Sequence, residues 1–151
     1  MEVSIAPAQA CFWSGIVSLQ TRHAREFVDI TESIEECIAQ SGVRDGLVVA
    51  ASQHTTASIV VNEHEPELLK DLNGFLQRLA PEHREYAHND APCGPGEMPN
   101  GHSHCQALLL NTTASVPIIG GRMAIGRYQR VFLVELDHPR PRRVTVAVLG
   151  S

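Results

Sequence analysis

The sequence is poor in the features that announce the commonest chemistries. Its four cysteines, Cys11, Cys37, Cys93 and Cys105, form no Cys-x-x-Cys pair and no dense framework. That spacing excludes a zinc ribbon and a disulfide scaffold and fits reduced thiols in a cytosol. No apolar run approaches the ~20 residues of a membrane span. The start, Met1-Glu2-Val3-Ser4-Ile5-Ala6-Pro7, has neither a cationic opening nor an apolar stretch. A secretory signal is therefore not expected, and a cytoplasmic setting is.

Positive charge is also scarce. The formal net charge is −5 with neutral histidines, the wrong sign for a general nucleic-acid binder, which needs a basic footprint against phosphates. Gly-x-Ser-x-Gly, Gly-x-x-x-x-Gly-Lys-Ser/Thr and Gly-x-Gly-x-x-Gly are all missing, so serine hydrolase, P-loop and Rossmann chemistries lack support. His64-Glu65 runs into Pro66, and the His-Glu-x-x-His pattern of zincins fails with it. At 151 residues the chain reads as a single domain, 1–151. It is long enough to bury a core but short of the roughly 200 residues an eight-fold α/β barrel takes. With 43% hydrophobic and 19% charged residues, disorder does not dominate.

What is abundant is histidine in one span. Six of the eight, His54, His64, His83, His88, His102 and His104, lie between Gln53 and His104. Imidazole is both a transition-metal ligand and a proton carrier near neutral pH, so a local excess is a chemical signal. Its plain alternative is a set of surface residues in a loop.

Along the chain, Phe12 to Gln20 and Glu26 to Ile30 read as a strand pair joined around Arg22 and His23. Thr31 is the expected N-cap of a helix with Glu32, Glu35 and Glu36 near its positive end, Ile34, Cys37 and Ile38 on one stripe, and Gly42 as its stop. Gly46 to Ala51 reads as a buried strand. If Gln53 to Asn62 is extended, His54, Thr56, Ser58 and Asn62 share a face that either does chemistry or is merely wet. Thr55, Ala57, Ile59 and Val61 share the packed face. From Pro66, Leu68, Leu69, Leu72, Phe75, Leu76 and Leu79 make a core-facing helix ending near Pro81.

Residues 81–101, rich in Pro and Gly, form an irregular connection of functional length or a lid without chemistry. His102 to Asn111 reads as a short helix burying Ala107, Leu108 and Leu110. Gly120-Gly121 turns a hairpin within Val116 to Ile125, and strands follow over about 129–136 and 143–149. The sum is an α+β domain, a compact antiparallel-rich sheet or sandwich with about three helices.

A catalytic zinc site commonly takes three protein ligands and an open water position. His54, His88 and His104 are the combination expected here. Side chains two apart diverge on a helix, so only one of His102 and His104 can serve one centre. Glu63, just after the strand, can orient a ligand or act as general base, although an exposed strand-end carboxylate is the commoner fate. Arg122, Arg127, Arg130, Arg140, Arg142 and Arg143 crowd the last thirty residues, where they can meet a phosphorylated small molecule or solvent.

Several strings, in order and over nearly the whole chain, resemble the YjbQ family. They are His54-Thr55-Thr56-Ala57-Ser58 leading to Val61-Asn62-Glu63, Tyr86-Ala87-His88-Asn89, Asn100-Gly101-His102-Ser103-His104, Val116-Pro117-Ile118 and Gly126-Arg127-Tyr128-Gln129. The resemblance implies a compact α+β fold on antiparallel sheet, assembly as a homotrimer, and a histidine-rich pocket resembling a metal site for a divalent ion, zinc first and magnesium second. His54, Asn62, Glu63, His88, His104 and Gln129 match the family's recurrent polar positions. Thr56 and Arg127 join Asn62 and Gln129 as expected substrate contacts, with Glu63 as the expected catalyst. Tyr128 stands where the family usually has Trp, which alters pocket shape and keeps an aromatic ring.

The family is often labelled secondary thiamine-phosphate synthase. The activity this implies joins a pyrimidine diphosphate to a thiazole phosphate as pyrophosphate leaves, with a divalent metal and arginines neutralising the growing charge. The usual enzyme for that reaction is an α/β barrel, so a shared activity would be convergent. A non-catalytic trimer that binds a metabolite or regulates a partner, and a metal-assisted hydrolase, are the alternatives.

Overall fold

Valine alternation along the last strand sets the architecture. Arg142, Val144, Val146 and Val148 are buried while Arg143 and Leu149 face out, the period-two pattern of a strand with one packed face. The structure is a computed structural model that describes residues 10–92, 94–95 and 97–151. Its elements are β1 (Cys11–Gln20), β2 (Phe27–Asp29), α1 (Thr31–Ser41), β3 (Gly46–Ser52), β4 (Ala57–Glu63), α2 (Pro66–Leu79), α3 (Gly101–Leu109), β5 (Thr113–Ile119), β6 (Arg122–Met123), β7 (Gln129–Glu135) and β8 (Pro141–Gly150). Five strands pair in the order β1-β8-β3-β5-β6 and three in the order β2-β7-β4. Every pairing is antiparallel. The expected α+β, antiparallel-rich fold with three helices is the fold observed among the described residues.

The two sheets share one core. Val48, Ala50, Val116, Ile118, Val144, Val146 and Val148 of the larger sheet meet Ala57, Ile59, Val131 and Leu133 of the smaller, and Ile34, Cys37 and Ile38 of α1 close it. Each Val, Leu or Ile among them contributes about 1.5–3 kcal/mol on full burial. Behind the smaller sheet, Phe132, Val134 and Leu136 pack with Leu76 of α2. That sheet is covered on both faces, which is why Val131 to Glu135 is a continuous buried run rather than an alternating one. Gln106 of α3 ties the helices together by donating to the carbonyls of Leu76 and Ala80 at 3.2 and 3.0 Å.

Several expectations need correction. The first two strands do not pair with each other. β1 runs its full ten residues against β8, and β2 joins β7, the chain swinging between sheets through a turn in which Arg25 takes φ 57°. Thr31 is the first helical residue and not the cap. Asp29 does the capping work, its Oδ1 accepting from the Thr31 amide at 3.0 Å and hydroxyl at 2.6 Å, while Thr31 Oγ1 accepts from the Val131 amide. Gly42 ends the helix as expected, at φ 73°.

The extended segment begins only at Ala57, so His54 sits in the connection ahead of the Thr55-Thr56 turn. Thr56, Ala57, Ser58 and Ile59 are all buried because both faces of β4 pack. Of the α2 stripe only Leu76 is buried; Phe75 and Leu79 remain about half exposed. On α3, Leu108 is 85% exposed and the inward positions go to His102, Ser103 and Gln106. No helix among the described residues is long and apolar enough to cross a membrane.

Candidate functional site

Where β3 ends and the connection before α3 folds back, a cleft of about 420 Å³ opens. His54, Thr56, His88, Asn100, His104, Arg140 and Arg142 line it. The three imidazoles expected to converge, 50 residues apart at the extremes (54 to 104), therefore face one space.

Each is held differently. The β3–β8 ladder stops at Ser52 and Val144, and His54 takes over. The Gln53 amide donates to the Arg143 carbonyl at 3.2 Å, and the Arg143 amide donates to His54 Nε2 at 2.9 Å. A neutral imidazole that accepts at Nε2 carries its proton on Nδ1. Burial, followed by the charge of Arg142, holds His54 below the ordinary histidine range, which keeps it neutral at pH 7.

His88 lies on a single short turn, Ala87–Asp90, pinned to α3 because Gly101 donates its amide to Asn89 Oδ1 at 2.9 Å. The approach there is close, for a Cβ at Gly101 would stand 2.5 Å from that of Tyr86. His104, in the first turn of α3, meets His88 edge-on with ring centroids 4.8 Å apart. Burial and then the nearby His88 hold His104 low.

The two arginines are backed by buried carboxylates. Arg142 forks onto Glu135, its Nε at 2.6 Å from Oε2 and its terminal nitrogen on Oε1, and reaches Thr56 Oγ1 at 3.1 Å. Thr21 Oγ1 also donates to Glu135 Oε2 at 2.8 Å. Arg140 contacts Asp137 Oδ2 at 3.1 Å, and the Asn100 amide reaches the same oxygen at 2.9 Å. Glu135 and Asp137 are essentially without solvent exposure. A buried ion pair of this kind adds little net stability but fixes a geometry.

The other expected residues lie elsewhere. Thr56 is in the cleft wall. Asn62 and Glu63 occupy the far end of β4, paired with Arg130 and Gln129. Six strand steps of ~3.3 Å put Glu63 roughly 20 Å from Ala57. Gln129 Oε1 accepts from the Gly126 amide at 2.7 Å, and Arg127 lies 5.4 Å over the Tyr128 ring. Within one chain, then, Asn62, Glu63, Arg127 and Gln129 form a second polar end away from the imidazoles. His102 is buried, with Nε2 3.2 Å from Ser103 Oγ, and does not line the cleft.

Glu135 and Asp137 went unread in the sequence, and Asn100 was read only as the opening of the Asn100 to His104 string. The signal for the two acids was Glu135-Leu136-Asp137 closing an apolar strand just before Arg140-Pro141-Arg142, two acids and two bases each spaced by two.

A three-imidazole metal centre does not fit this arrangement. The Nε2 lone pair of His54 is engaged by Arg143, its Nδ1 carries a proton, and no group of three or more His, Cys, Asp or Glu side chains among the described residues is placed to hold a metal ion.

The fold and cleft define a small α+β protein of paired antiparallel sheets with a histidine- and arginine-lined site at one end. The chain belongs to the UPF0047 protein YjbQ-like family, whose model matches residues 15–151. A UPF0047 protein of Methanothermobacter thermautotrophicus is 37% identical over 133 residues, 88% of this chain and 89% of the relative. Another, of Archaeoglobus fulgidus, is also 37% identical over 133 residues, covering 88% and 98%. The crystal structure of a YbjQ-like protein of Sulfolobus solfataricus superposes with a TM-score of 0.88 at 32% identity, over 95% of this chain and 100% of that one. A hypothetical protein of Aeropyrum pernix gives 0.85 at 32% identity, over 92% and 99%.

Proposed function

We propose that the cleft binds a small phosphorylated metabolite and transfers a group from it. The observation that carries this is the pair of guanidinia, Arg140 and Arg142, each fixed from behind by a buried carboxylate in a cleft wall shared with three imidazoles, Arg140 being the open one at 36% side-chain exposure against 2% for Arg142. Planar, preorganised N–H forks suit phosphate oxygens, and a volume of about 420 Å³ is that of a small-molecule site. His88 and His104, in edge-on contact, stand beside the guanidinia and offer the ring nitrogens that a bound ligand or ion would meet. The reaction that the family resemblance supplies is thiamine phosphate formation with release of pyrophosphate. Incubating the protein with the pyrimidine diphosphate and thiazole phosphate and following pyrophosphate tests it; binding without release leaves a metabolite-binding protein instead.

Self-association belongs to the same proposal. On the outer face of the larger sheet, Phe12, Leu149, Leu47 and Pro117 are register neighbours. The next outward rows are Ser14, Ala147, Val49 and Ser115, then Ile16, Thr145, Ala51 and Thr113. No charge occurs in these rows. Centre to centre they span roughly 14 by 14 Å, with Phe12, Leu47, Leu149 and Ile16 standing exposed among them as the apolar side chains an interface would cover. A homotrimer is the assembly the resemblance implies, and a closed ring lets the Asn62, Glu63, Arg127 and Gln129 end of one copy meet the cleft of the next. Mixing Glu63→Gln with His88→Ala chains tests this, because sites composed of two intact halves regain activity only if the halves come from different copies.

The divalent ion, zinc or magnesium, enters through His88 and His104, with further donors coming from the phosphorylated ligand or a second copy. Metal content measured with and without pyrophosphate tests that dependence. A cytoplasmic location, consistent with free thiols at Cys11, Cys37 and Cys105, completes the proposal and is tested by cell fractionation.

A further inference from the structure

The His54 ring performs one duty that is plain from its hydrogen bonds. It completes a sheet ladder by accepting the Arg143 amide at 2.9 Å. Among the described residues its Nδ1 has no partner, although the ring lines the cleft beside Arg140 and Arg142. We propose that His54 serves the cleft as a fixed, neutral hydrogen-bond donor, its Nδ1–H joining the Arg140 and Arg142 guanidinia in a subsite for the phosphate or pyrophosphate end of a ligand, and not as a metal ligand. This inference rests on the phosphorylated-metabolite reading and assigns the group that would grip the phosphorus end.

Three observations support it. A metal bound at Nδ1 would drive the proton to Nε2, where it would face the Arg143 N–H across 2.9 Å, donor against donor. Burial and Arg142 disfavour the imidazolium, and the Arg143 amide donating to Nε2 selects, of the two neutral tautomers, the one with its proton on Nδ1. Arg140 and Arg142 are already compensated by Asp137 and Glu135. An incoming anion therefore needs directed N–H groups as much as net charge, and a neutral donor supplies one without adding repulsion.

The test is imidazole nitrogen NMR on the full chain, with inorganic pyrophosphate and zinc as separate probes. The expected result is His54 protonated at Nδ1 and bare at Nε2 at pH 7, with pyrophosphate moving the Nδ1 signal and zinc leaving it in place. His54→Ala should weaken pyrophosphate binding about tenfold or more. His54→Asn, whose amide sets an N–H near the position of Nδ1, should recover part of that loss. An Nε2–H tautomer, a zinc shift shared by His54, His88 and His104, or an asparagine variant no better than alanine would each overturn the assignment. If pyrophosphate binds but His54 carries its proton at Nε2, only this inference falls. If pyrophosphate does not bind the wild type, the phosphorylated-ligand reading falls and the subsite with it.

Discussion

The Arg143 amide donates to Nε2 of His54 at 2.9 Å at the point where β3 stops pairing with β8. A side chain thus substitutes for a missing strand residue, and the substitution fixes which nitrogen the ring turns to the cleft. This bond is exposed, so water can replace the ring. His54→Ala should cost only about 0.5–1.5 kcal/mol of stability, readable by urea denaturation, while ligand affinity falls much further. A comparable loss in both would make His54 a structural residue alone.

Arg142 and Glu135 are 2% and 0% exposed. Removing one partner strands the other charge. Arg142→Met and Glu135→Gln should each cost about 3–5 kcal/mol, and the double variant less than their sum. Denaturant midpoints across the cycle check this; additive losses would show that the pair is not coupled.

Gly101 supports the His88 turn. A Cβ there would lie 2.5 Å from Tyr86 Cβ and 3.0 Å from Asn89 Oδ1, so Gly101→Ala must push the Tyr86 to Asn89 segment away from α3. The expected outcome is a reduction of pyrophosphate affinity by about tenfold or more as His88 moves, an effect typical of small misplacements at a site. Affinity equal to wild type, by calorimetry, would remove His88 from the binding surface.

Acid should destabilise the protein in two stages. Burial holds His54, His102 and His104 below 6.5 in the folded state. Falling pH therefore protonates the unfolded chain first, and stability declines from about pH 6.5 downward. Asp29 follows. Burial raises it, but hydrogen bonds from Arg130, Thr31 and His64 outweigh burial and bring it from 3.8 to about 2. Its contribution of about 2 kcal/mol is present above pH 3.8 and lost as pH falls through 2. Asp29→Asn should lose that amount at pH 7 and only a small part of it near pH 2, which denaturation at both pH values checks.

The sequence revealed what is local. The Ile34, Cys37 and Ile38 stripe with its Gly42 stop, and the Gly120-Gly121 hairpin, whose residues take φ 61° and 82°, are set by neighbours a few positions apart. Pairing partners were hidden, because β1 finds β8 across more than a hundred residues and nothing in Phe12 to Gln20 names it. Leu108 misled because helical spacing does not show which face of a nine-residue helix meets the core, and Gln106 wins that place by bonding α2 carbonyls. The imidazoles His54, His88 and His104 were legible by residue type. The carboxylates behind the arginines were not, since burial turns an ordinary acid into a positioning group and burial is a property of the fold.

The most direct test of the account follows all eight histidines by imidazole NMR while inorganic pyrophosphate is added to the intact protein. The account predicts saturable shifts at His54, His88 and His104, with His23 and His83 unmoved. Shifts confined to other histidines, or none at all at millimolar pyrophosphate, would contradict it.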